Sequence, residues 1–95
     1  VEPGGEKSEA FALLHNYPNP FNTSTTIGFR VTENGFVSLK VFDVTGREVV
    51  TLVNEHKPMG DYSIEWNTSD LDSGIYFCKL QNGSCHEVKK MQLLK

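Results

Sequence analysis

Along most of the chain, hydrophobic and polar residues alternate with a period of two. That spacing buries one face of a β-strand and leaves the other in water. "TTIGFRV" (25–31) sets Ile27, Phe29 and Val31 on one face, and "FVSLKVFD" (36–43) does the same with Val37, Leu39 and Val41. "DYSIEWN" (61–67) groups Tyr62, Ile64 and Trp66, and "IYFCKLQ" (75–81) groups Tyr76, Cys78 and Leu80. "REVVTLV" (47–53) is β-branched and nearly all apolar, and "CHEVKKMQLLK" (85–95) follows as the last segment. Six such segments at roughly ten-residue spacing predict an all-β sandwich or barrel. Asn34-Gly35, Thr45-Gly46 and Asn82-Gly83 lie between segments, each offering a glycine for the positive φ of a tight turn. Strands joined so tightly are expected to run antiparallel. No stretch carries a long amphipathic helical repeat.

Two stretches at the start do not follow the period. Residues 1–10, "VEPGGEKSEA", mix proline, glycine and charge, and residues 1–15 are read as a linker from an upstream domain, with the sandwich spanning 16–95. "NYPNPFN" (16–22) places Pro18 and Pro20 between two rings, Tyr17 and Phe21. Prolines lack the N–H that a central strand needs and hold their predecessors extended. The expectation is a straight arm on which Tyr17, Asn19 and Phe21 share a face and tuck both rings under the sandwich. Asn16, Asn19 and Asn22 would satisfy backbone groups that the prolines leave unpaired.

Length and composition narrow the class. Ninety-five residues suit one domain, and 38% hydrophobic content argues for a folded one. A net charge of −3 argues against nucleic acid as partner. No apolar run approaches the ~20 residues that span a bilayer. The chain starts at Val1 without methionine, as a piece cut from a longer protein would.

"YPNPFNTSTTIGF" (17–29), "LKVFDVTGREVVTLV" (39–53) and "SGIYFCKLQNGSCHEVKKMQLLK" (73–95), taken together, resemble the type A C-terminal sorting domain of the type IX secretion system of certain Gram-negative bacteria. The resemblance rests on an Asn-Pro-Phe arm, here Asn19, Pro20 and Phe21, and an Asp-x-x-Gly-Arg-x-Val turn, here Asp43, Gly46, Arg47 and Val49. It also rests on a Ser-Gly-x-Tyr strand start, here Ser73, Gly74 and Tyr76, and on a final strand bearing Lys89, Lys90 and Lys95. The chain is also similar to the immunoglobulin-like domain of the flagellar hook-capping protein. The resemblance implies a small immunoglobulin-like antiparallel β-sandwich of about seven strands, placed C-terminal to an exported cargo. It implies an address read by the outer-membrane secretion machinery, no catalysis by the domain itself, and a final location secreted or on the cell surface, by way of the periplasm. Arg47, Lys89, Lys90 and Lys95 are the recognition candidates. Tyr17, Pro18, Asn19, Pro20, Phe21, Asp43, Gly46, Gly74 and Tyr76 are the structural motif.

Other chemistry finds less support. Asp43 is expected to accept backbone N–H bonds in its turn, with Arg47 lying across the sheet. Asn67, Asp70 and Asp72 are oxygen ligands of the kind calcium takes, but they lack the EF-hand spacing, so no metal or other cofactor is expected. His15, His56 and His86 are scattered, and no nucleophile sits beside one in a recognised constellation. A carbohydrate-binding or accessory module of a secreted hydrolase is the alternative. Its platform would come from the outward rings Phe36, Phe42 and Phe77, none flanked by obvious polar groups. With Asn82-Gly83 as a two-residue turn, Leu80 faces Cys85 and Cys78 faces Glu87. That register leaves the two cysteines diagonal and free of a disulfide.

Overall fold

The computed structural model describes residues 11–83 and 85–95, with the side chains of residues 11–15 and 85 left outside that description. Seven strands follow one another: β1 (Phe11–Tyr17), β2 (Ser24–Val31), β3 (Gly35–Phe42), β4 (Glu48–Lys57), β5 (Gly60–Asn67), β6 (Gly74–Asn82) and β7 (Cys85–Leu93). A three-stranded antiparallel sheet, ordered β1-β2-β5, packs on a four-stranded one, ordered β4-β3-β6-β7. The protein is an all-β sandwich.

The period-2 residues make the core. Ile27, Phe29 and Val31 of β2 face Val37, Leu39 and Val41 of β3 and Tyr76, Cys78 and Leu80 of β6, and all nine are buried. Burying each large aliphatic or aromatic side chain of this kind stabilises by ~1.5–3 kcal/mol. The edge strands bury less. In β4 only Val53 is buried, and in β5 only Trp66 is, while Val50, Leu52, Tyr62 and Ile64 are half-buried. Register shifts between Leu39/Lys40 and Val41/Phe42 put extra residues into β4 and break its alternation.

Three departures from the expected pattern have local causes. Residues 11–15 belong to a strand paired with β2 and not to a linker. A register shift between Leu13 and His15 interrupts the alternation there, so period two does not reveal the strand. Residues 1–10, the rest of the stretch read as linker, lie outside the described residues. Asn34-Gly35 is not a hairpin turn. Gly35 has no positive φ and begins β3, so the connection carries the chain from one sheet to the other. In the last hairpin, Asn82 pairs with Cys85 and Gly83 takes the positive φ (63°). The register is therefore two residues further on than Asn82-Gly83 implied: Leu80 faces Glu87 and Cys78 faces Lys89. Cys78 is a buried free thiol, and along the paired strands it is four residues from the position opposite Cys85.

Candidate functional site

The ends of β1, β3, β5 and β7 and the starts of β2, β4 and β6 all lie at one pole of the sandwich. That pole therefore gathers the 18–23 arm, the 43–47 turn, the 68–73 loop and residues 93–95. Every segment of the Asn-Pro-Phe, Asp-x-x-Gly-Arg and Ser-Gly-x-Tyr patterns is there.

The arm is half of what its sequence suggests. Phe21 is fully buried, but Tyr17 is 74% exposed. Residues 18–20 bend, and both Xaa-Pro peptide bonds are cis. The bend ends the alternation that would have put Tyr17 and Phe21 on one face. Phe21 forms a parallel bridge with Leu93: its N–H donates to the Gln92 carbonyl at 2.9 Å, and its carbonyl accepts from the Leu94 N–H at 2.8 Å. Asn19 Oδ1 accepts from the Gln92 N–H at 3.2 Å. The buried Asn16 amide and Thr25 hydroxyl donate to the Pro18 carbonyl at 3.4 and 2.9 Å. Asn22 does not serve a backbone group in this way; its Oδ1 accepts from the Thr23 hydroxyl at 2.8 Å.

An aromatic column runs inward from Phe21. Its ring meets Trp66 at 5.7 Å, and Trp66 meets Tyr76 of the other sheet edge-on at 5.7 Å. Pairs of this geometry add ~0.5–1.5 kcal/mol beyond their burial. The Tyr76 hydroxyl donates to the Asp72 carbonyl at 2.8 Å. Burial, then the nearby Asp72 and Asp43 carboxylates, push the Tyr76 phenol above its ordinary pKa. Gly74, two residues before, has φ 155°, a conformation that side chains rarely adopt. Beyond it the Ser73 Oγ accepts from the Lys95 N–H at 3.0 Å, and the Lys95 ammonium donates to the Ser69 carbonyl at 2.9 Å. Thr68 donates both its N–H and its hydroxyl to the Thr23 carbonyl, at 2.7 and 2.8 Å.

The Asp43 turn is built around one carboxylate. Asp43 Oδ1 accepts from the Thr45 N–H (2.9 Å), the Thr45 hydroxyl (2.6 Å) and the Arg47 N–H (3.1 Å). The Thr45 hydroxyl above all, then the Arg47 N–H, hold the carboxyl below its ordinary pKa. Gly46, at φ 89°, supplies the left-handed residue that the turn requires. Arg47 does not lie across the sheet; its side chain is 80% exposed, with only Nε near Asp43 Oδ2 at 3.5 Å. Between this turn and the 70–72 loop lies a depression of about 330 Å3, lined by Asp43, Glu48, Asp70, Asp72, Leu71 and Tyr76, with Arg47 on its rim.

Arg47 and Lys95 thus share the pole. Lys89 and Lys90 do not; they sit mid-strand in β7, opposite Cys78 and Phe77. Asn67 Oδ1 accepts from the Ser69 N–H at 2.9 Å, and no group of three or more His, Cys, Asp or Glu side chains is placed to hold a metal ion among the described residues. Phe36 lines a shallow groove with Ser38 and Lys40 of its own strand face and with Asn54 of β4 and Gln81 of β6, so polar groups do flank it; its ring meets His56 edge-on at 5.3 Å. Sequence reasoning missed Trp66 as the link between Phe21 and Tyr76, and Thr68 as the arm's second anchor. Their partners are set by sheet stacking, which no local pattern encodes.

Residues 15–93 match the model of the secretion system C-terminal sorting domain, and the chain belongs to that family. No curated protein matches the chain. The domain is the C-terminal sorting signal for type IX secretion, which directs the protein carrying it across the outer membrane to the cell surface or the medium. A signal of this kind is recognised by the secretion machinery and attached to an upstream cargo. The carbohydrate-binding reading finds no support in the comparison. No helix among the described residues is long and apolar enough to cross a membrane.

Proposed function

We propose that the pole carrying the arm, the Asp43 turn and Lys95 is the surface the outer-membrane machinery binds, with Arg47 and Lys95 as its charged contacts. The domain reaches that machinery from the periplasm and contributes an address, while any chemistry belongs to the cargo. One observation carries the reading: segments bearing the family's patterns converge there, and the arm, the 68–73 loop and the end of the chain, up to 73 residues apart, bond to one another. Arg47 has no packing role at 80% exposure, so its place in the pattern calls for a contact outside the fold. Lys89 and Lys90, mid-strand on an edge, fit the simpler task of discouraging edge-to-edge pairing.

The test is export of a periplasmic reporter fused ahead of the full chain, in a host with this secretion system. Arg47→Ala should leave unfolding stability within about 0.5 kcal/mol, as exposed substitutions do, and hold the reporter in the periplasm. Arg30→Ala, near the end of β2 that lies at the other pole, should be exported normally. Undiminished export of the Arg47 variant would move the recognition surface away from this pole.

A further inference from the structure

The two long flanks of the sandwich are closed differently. On one, β1 lies against β7, and the arm adds Phe21 beside Leu93. On the other, β5 and β4 are both edge strands. Between them opens a cleft of about 220 Å3 lined by Phe29, Leu52, Val53, Tyr62 and Ile64 together with Glu55 and Lys57, whose ammonium lies 4.5 Å from the Tyr62 ring centroid. Three strands cover four, and the shorter sheet stops at β5. Leu52, Tyr62 and Ile64 are left half-buried as a result.

Edge strands ordinarily carry a device that blocks further pairing. β1 has a register shift, β4 has two, and β7 has Lys89, Lys90 and the arm. β5 has none of these. It pairs with β2 without interruption from Gly60 to Asn67 and contains neither proline nor lysine. The Thr68 N–H bond to the Thr23 carbonyl, one step beyond the Ser24–Asn67 pair, sets the phase of the ladder. Backbone groups of Tyr62, Ile64 and Trp66 point toward β2, and those of Asp61, Ser63 and Glu65 point outward, where β5 has no neighbouring strand among the described residues.

We propose that the β5 edge takes up an extended segment of a partner protein, alternating apolar and basic residues, as the fourth strand of the smaller sheet. Its apolar side chains fall beside Tyr62 and Ile64 and fill the cleft above Leu52. Its outward side chains fall beside Asp61, Ser63 and Glu65, the exposed face of β5. Glu65 there favours lysine or arginine, because opposite charges on neighbouring strands attract and like charges repel, while Asp61 is already paired with Arg30 of β2 at 2.9 Å. The machinery-binding pole is not involved, so this site stands or falls separately from it.

The probe is a synthetic peptide of alternating valine and lysine, about ten residues long to match a strand. Titrated into the full chain, it should bind saturably and slow hydrogen exchange at the amides of Asp61, Ser63 and Glu65. A valine–glutamate peptide should bind at least about tenfold more weakly, and Glu65→Lys should narrow that gap. Ser63→Pro removes an outward N–H, a change tolerated on an edge, and should weaken binding by about tenfold or more. A lysine peptide N-methylated at alternate residues should fail against the unaltered chain, which tests the main-chain pairing even if the proline variant does not fold. Absence of saturation, protection appearing on β4 or β7 instead, or equal binding of both peptide charges would overturn the proposal.

Discussion

At the pole holding the arm, residues from β2, β5, β6 and β7 are tied by main-chain pairs and by a buried aromatic column. At the opposite pole the ties are amide side chains on turn backbone: Asn34 Oδ1 accepts the Met59 N–H at 2.8 Å, and the Asn82 amide donates to the Glu33 carbonyl at 3.4 Å. The first pole buries Phe21, Trp66 and Tyr76, while the second leaves Phe36 46% and Met59 62% exposed. The difference is one of tolerance. A turn held by an exposed amide can be rebuilt many ways, whereas a ring wedged under two sheets fixes the sequence around it.

The largest test of that contrast is Phe21→Ala against Phe36→Ala. Truncating a fully buried aromatic costs ~3–5 kcal/mol, so Phe21→Ala should lower the unfolding free energy in urea by that order. Phe36→Ala and Tyr17→Ala should each stay near 1 kcal/mol or less, as partly exposed sites do. Equal losses at Phe21 and Phe36 would erase the distinction between the poles.

Glycines give the next comparison. Gly46→Ala meets no neighbour within 4 Å, so its cost is purely the left-handed backbone, about 1–2 kcal/mol. Gly35→Ala has no such φ, and its Cβ would meet the flexible Asn82 Oδ1 at 3.3 Å, a contact the amide can relieve by a small shift. A larger loss at Gly35 would show the far pole to be the stiffer one.

Asp43 predicts a pH dependence. Its folded pKa is depressed, so the stabilisation is present above the unfolded value near 3.9 and is lost as pH falls through the lowered folded value. Asp43→Asn should therefore weaken the fold at neutral pH and converge with wild type in increasingly acid solution. Parallel stability curves for the two proteins would show that the carboxylate's charge is not what holds the turn. The smallest effect is an absence of reaction. Burial pushes the Cys78 thiol up to about 12, so in a Cys85→Ser variant a thiol reagent at pH 8 should label nothing until the protein unfolds.

Much of the fold was legible because β2, β3 and β6 are regular strands whose alternation survives intact. β1 escaped notice where a bulge at Leu13–His15 cancels the period, and the final hairpin slipped because Asn82 pairs as strand and Gly83 takes the turn conformation. At the candidate site, Asp43 and Gly46 could be placed from turn chemistry, and Gly74 only from the family resemblance. Tyr17 could not, since the bend at 18–20 decides which ring enters the core. Nor could the union of arm, loop and β7, which depends on contacts spanning most of the chain.

That span has a consequence for synthesis. The arm is made early, yet the groups that receive Phe21 and Asn19 belong to Gln92, Leu93 and Leu94. Until the ribosome has delivered those residues, the arm has no main-chain partner on β7. A product cut short before Gln92 therefore leaves the arm unpaired, with Trp66 left to hold the Phe21 ring. The address is spelled only on messages read through, and a prematurely terminated cargo carries a visible flaw in place of a passport.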